Sequence, residues 1–152
     1  MIDLAIARAL HVLAVLVWIG GVALVSMVVL PAARAARNLE IFERVERRFA
    51  AQTRWTLLVA GASGLYLVWR LGLWPRFAEA RFWWMHAMVV LWLGYALALF
   101  ILEPRILRAR FAARLAREPD RALARMARHH WFVLALSLAV VAGAVAGSHG
   151  FL

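Results

Sequence analysis

The chain has 152 residues, 66% of them hydrophobic, no cysteine and a formal net charge of +10. Soluble domains carry about 45–50% apolar residues, so this composition points to a polypeptide whose solvent is largely lipid. Without cysteine there can be no disulfide, no thiolate metal site and no covalent c-type haem attachment, so any metal must use His, Met, carboxylate or backbone ligands.

A membrane crossing needs about 20 mainly apolar residues, and four stretches qualify: 4–30, 55–73, 82–102 and 131–152. The expected fold class is all-α, a single integral-membrane four-helix bundle over residues 1–152 with no soluble domain. The first stretch is too long for the apolar region of a secretory signal and reads as a helix. Ala7, His11, Ala14, Trp18 and Gly21 repeat on it at helical spacing and mark its inward stripe. After it, Asn38 is placed to cap a second helix starting near Leu39. Glu40/Arg44 and Glu43/Arg47 are i,i+4 pairs with the acid first, the favourable order. The second span is the least apolar. Arg70 lies near its end, where a long side chain can snorkel to the interface. Ala60, Gly61, Ser63 and Gly64 supply its close-packing point. The third span is large and apolar around most of its circumference, and the segment Arg105 to Arg117 extends it as a helix. A turn at Glu118-Pro119-Asp120 follows, with Pro119 suited to the first turn of the last helix. On that helix Ala135, Ala139, Ala142, Ala146 and His149 form a stripe read as the packing face, beside the GxxxG pair Gly143 and Gly147.

All 18 basic residues are arginine, and 14 of them lie between the first and second spans or between the third and fourth. Positive residues stay cytoplasmic. The expected topology therefore places both Arg-rich loops, with their helical extensions, in the cytoplasm, and both termini outside (periplasmic) in a bacterial inner membrane. Neither loop carries a nucleic-acid-binding motif or stacking aromatics, so no nucleic-acid partner is expected. His129 and His130 fall at the cytoplasmic start of the fourth span and read as interfacial.

With a rise of 1.5 Å per residue, His11, His86 and His149 lie about 10, 6 and 5 Å below the outer surface. Intramembrane histidines are costly and tend to be functional. A b-type haem needs one or two axial histidines, an apolar slot and cationic groups for its propionates. Arg8 and Arg81 stand just outward of His11 and His86, and Trp18, Trp83 and Trp84 are available as walls. The competing set is copper held by His11, His86 and His149 with Met85 or Met88 as a soft ligand. Ser26, Ser63, Ser137 and Ser148 have no acid placed to complete a hydrolytic triad.

The run His11-Val-Leu-Ala-Val-Leu-Val-Trp18-Ile-Gly20-Gly21 resembles the first helix of the copper-resistance protein D superfamily. The same layout is similar to HemJ-type protoporphyrinogen oxidases, which are also small four-helix membrane proteins. Their third helix carries a His-Ala-Lys run. Here Trp84-Met85-His86-Ala87-Met88 has Met88 in the lysine position. Glu46-Arg47-Arg48-Phe49, Gly61-Ala62-Ser63-Gly64, Glu103-Pro104 and Gly147-Ser148-His149-Gly150 extend the likeness to related bacterial membrane proteins. The resemblance implies a haem-associated or copper-associated bundle, with His11 and His86 as the residues tied to haem b. The expected function is a cytochrome-like redox protein, exchanging electrons with quinone or a periplasmic partner, with homo-oligomer formation open. The alternatives are copper binding or transport, and porphyrinogen oxidation.

Overall fold

A computed structural model describes residues 1–36, 39–107, 113–114 and 117–150, without the side chains of 39–43, 104–107 and 119. The expected cap Asn38, the pairings of Glu40 and Glu43, and part of the extension beyond the third span lie outside these residues. The described chain is all-α. Helix α1 spans Ile2–Ala36 and includes a π-helical turn at Val25–Val29. Helix α2 is Leu39–Arg70, unbroken over its length as expected, with its expected cap outside the described residues. Helix α3 is Trp83–Ala96 and continues as an eleven-residue π-helical run, Leu97–Leu107. Helix α4 is Pro119–Ser148, with Pro119 in its first turn as its fixed φ favours.

Three stretches, Ile2–Ala36, Ala80–Glu103 and Asp120–Ser148, are long and apolar enough to cross a membrane. Their outward faces carry bare apolar side chains such as Val12, Leu16, Val90 and Phe132, each more than 60% exposed. Continuous apolar surface of this kind marks a membrane-facing or partner-facing wall. Exposed tryptophans sit at the ends of the apolar stretches. Trp55 and Trp131 begin the apolar parts of α2 and α4, and Trp69, Trp74 and Trp83 ring the α2–α3 connection. This is where amphipathic rings meet headgroups.

The helices pack as consecutive antiparallel neighbours. Asp3 meets Tyr66, His11 meets Ala60 and Gly21 meets Phe49, so the numbers fall along α2 in step with their rise along α1. This is the most extensive interface in the fold. Trp92 of α3 donates to the Leu57 carbonyl of α2 at 2.8 Å and lies over Gly61. Trp84 seats on Gly147 of α4, and Tyr95 reaches Ser137. The central core is Trp18, Ile19, Val22, Leu57 and Leu134, and a second cluster of Val25, Leu30, Ala33 and Leu123 closes one end.

One expected face is corrected. The inward face of α4 is Leu134, Ser137, Val140 and Gly143, whereas Ala135, Ala139 and Ala142 face outward. The indole rings of Trp83 and Trp84 fill the space over Gly143 and Gly147, so it is the glycine pair, not the alanine stripe, that lets α3 approach. The α1 stripe stands as expected: Ala7, Ala14 and Trp18 are buried, and His11 and Gly21 are half-buried.

Candidate functional site

The best-organised histidine is His11. Its Nδ1 lies 2.9 Å from the Ala60 carbonyl oxygen and 3.3 Å from Ser63 Oγ. A carbonyl only accepts, so Nδ1 carries the proton and donates; in the neutral imidazole the Nε2 lone pair is then free. Ser63 in turn donates to the Val59 carbonyl at 2.6 Å, which orients the hydroxyl oxygen facing the ring. Gly64 makes room for it: a Cβ there would stand 3.0 Å from His11 Cε1. The Ala60–Gly64 patch, expected as a packing point, thus also fixes the ring and its tautomer. Such a bond to the remote nitrogen is the usual companion of a ligating imidazole.

Beside this pair a groove of about 430 Å³ runs between α1 and α2, lined by Ile6, Ala7, Leu10, Val59, Ala62 and Ser63. Asp3 and Tyr66 line its end nearest the α1 N-terminus. Asp3 accepts from Tyr66 OH at 2.9 Å and pairs with Arg70 Nε at 3.3 Å and with the terminal amine at 3.0 Å. Arg70 is therefore held by an acid on α1.

Trp18 is buried on the same face of α1, edge-on to Tyr95 with ring centroids 4.7 Å apart. Its Nε1 is sealed without a partner, as is that of Trp84.

The other expected site residues stand apart. His86 is exposed, its ring edge-on to Phe77 at 5.2 Å, while its neighbours Trp84 and Met85 are buried. Met88 is half-buried. Arg81 pairs with Glu79 at 2.7 Å and lies over the Phe82 ring, and Arg8 is exposed. His149 is exposed just past the end of α4, its Nδ1 donating to the Val145 carbonyl at 2.8 Å. Among the described residues no hydrogen bond or ring contact joins His11 to His86 or His149, and no three His, Cys, Asp or Glu are grouped to hold a metal ion.

Sequence reasoning missed a charged pair at the other end. Arg54 donates to Glu103 at 2.9 Å and, through Nε and Nη2, to the Leu99 carbonyl at 3.2 and 3.1 Å. The signal was available: Glu103 is the only acid between Glu79 and Glu118, and it lies across from an arginine flanking the second span. No family model, curated protein or solved structure matches the chain.

Proposed function

We propose that the protein is a bacterial inner-membrane haem b protein with His11 as its axial ligand, set in the outer half of the bilayer. The observation that carries this reading is the Nδ1–H bond from His11 to the Ala60 carbonyl, which orients the ring and leaves Nε2 as the nitrogen available to a ligand. The donor set favours haem over a bare copper ion. A porphyrin supplies four nitrogens of its own and asks the protein for one or two, whereas copper needs a set of three that the described residues do not group. His86, in this reading, is not a preformed second ligand, and Arg8 rather than the Glu79-paired Arg81 is the cation free for a propionate.

When bound, the haem supplies one-electron redox chemistry. The protein's own part is to hold the imidazole, through Ala60, Ser63 and Gly64, and to exclude water with the α1–α2 interface. Both termini face the periplasm and the Arg-rich segments face the cytoplasm, so electrons pass between this site and a quinone or a periplasmic partner.

The full chain, purified in detergent from haem-replete cells, is expected to show a Soret band that sharpens and shifts on dithionite reduction. His11→Ala abolishes it, while His86→Ala and His149→Ala keep it. A wild-type protein without a Soret band after haem supplementation overturns the reading, and stoichiometric copper in the same sample directs it to the metal alternative.

A further inference from the structure

A second site stands at the opposite end of the bundle, where the described arginines crowd a cavity. Arg114, Arg117, Arg121 and Arg125 line a space of about 210 Å³ together with Glu118 and Ala122. Backbone bonds from Glu118 N–H to the Arg114 carbonyl at 2.8 Å, and from Ala122 N–H to the Glu118 carbonyl at 2.9 Å, keep the turn in register across the start of α4. The four arginines share the lining of this one space. Among the described residues one carboxylate answers them: Glu118 pairs with Arg121 at 3.1 Å. Among the described residues Arg114, Arg117 and Arg125 have no acidic partner. Like charges so gathered repel unless an anion joins them.

Depth identifies the kind of anion. Ala122 lines the cavity, and the next residue, Leu123, is buried in one cluster with Val25, Leu30 and Ala33 of α1. Ala33 directly precedes Arg34, the first charge after the long apolar stretch of α1. With α1 read as crossing the membrane, the cavity stands level with the end of its apolar stretch, at headgroup depth. Guanidinium forks match phosphate oxygens bidentately, and basic pockets at this depth suit anionic lipid headgroups.

We propose that Arg114, Arg117, Arg121 and Arg125 form a discrete binding site for the phosphodiester headgroup of an anionic phospholipid. The site is independent of the histidine region and does not rest on haem.

The test uses the full-length protein in neutral detergent, titrated with short-chain phosphatidylglycerol, phosphatidylcholine of equal chain length, or inorganic phosphate, with lipid occupancy read by native mass spectrometry. Phosphatidylglycerol is expected to saturate one site that phosphatidylcholine does not fill and millimolar phosphate does not empty. Arg121→Gln with Arg125→Gln weakens binding about 30-fold, taking roughly a kilocalorie per mole for each arginine near the surface. Arg34→Gln with Arg48→Gln removes the same charge at this end of the bundle and leaves binding within threefold. Equal loss in both double variants would show diffuse attraction, and equal binding of the two lipids would show no headgroup recognition; either overturns the site. Displacement by phosphate overturns the lipid assignment.

Discussion

At the scale of single residues, His11 shows how a membrane helix fixes a polar ring without other polar side chains to spare. One backbone carbonyl, one serine and one missing Cβ hold it. Gly64→Ala is expected to push the ring off the Ala60 carbonyl. The crowding costs about 1–3 kcal/mol, and, where haem binds at His11 as proposed, it shifts the Soret maximum. Gly20→Ala, where a methyl meets nothing within 4 Å, is expected to leave the spectrum unchanged and to stabilise by up to about 1 kcal/mol through helix propensity. Thermal unfolding and absorption spectra of the two variants check both. A Gly64→Ala protein as stable and spectrally unchanged as wild type would mean that the ring is not held there. The inward placement of His11 was legible because Ala7, Ala14 and Trp18 repeat on its face. Its partner was not, because a backbone carbonyl has the same identity at every position in a sequence. His86 was illegible for the opposite reason: α3 is apolar on all sides, so periodicity picks no face for it.

At the scale of elements, the α2–α3 contact is polar where it leaves the apolar core. Arg54 and Glu103 are only 28% and 17% exposed, and the guanidinium also satisfies a carbonyl of the π-helical run. A π-helical stretch departs from the i→i+4 ladder and often accompanies a functional contact. Removing the arginine strips both the ion pair and two donors to Leu99. Arg54→Ala is thus expected to destabilise by about 2–3 kcal/mol, less than for a fully buried pair because both groups keep some exposure. Glu103→Gln keeps the shape and the bonds to Leu99 and should cost about 1–2 kcal/mol, the scale of a charge-assisted hydrogen bond. Unfolding titrations in mixed micelles measure the two, and an equal loss would mean that the Leu99 bonds contribute nothing. The corrected face of α4 teaches a related point. Small residues signal close packing, but Ala135, Ala139 and Ala142 were indistinguishable from Gly143 and Gly147 by size class. Two indole rings decided between them, since only a site without Cβ admits a ring at that distance.

At the scale of the molecule, α2 carries the argument about how many times the chain crosses the bilayer. It is not among the helices apolar enough by themselves; Gly61, Ser63 and Gly64 dilute it, and Arg54 and Arg70 bound its apolar part. Yet the contacts Asp3–Tyr66, His11–Ala60 and Gly21–Phe49 lay it against α1 from end to end. If α1 spans the membrane, α2 must span it too, because the two cannot stay in register otherwise. The reduced hydropathy follows from this position. Small and hydroxylated residues line the α1 contact, Trp92 covers Gly61 from α3, and the charge of Arg70 is answered by Asp3. Hydropathy of the segment reports lipid contact, and a helix partly shielded by two neighbours needs less of it. A chain without cysteine makes the test direct. Ala35→Cys, Pro75→Cys and Ala113→Cys place single thiols at exposed positions before α2, after α2 and after α3. In intact cells a membrane-impermeant maleimide is expected to label Pro75→Cys alone, with Ala35→Cys and Ala113→Cys reacting only after lysis. Labelling of Ala35→Cys together with Pro75→Cys would place both ends of α2 on one side and remove the four-crossing topology, and with it the outer placement of His11.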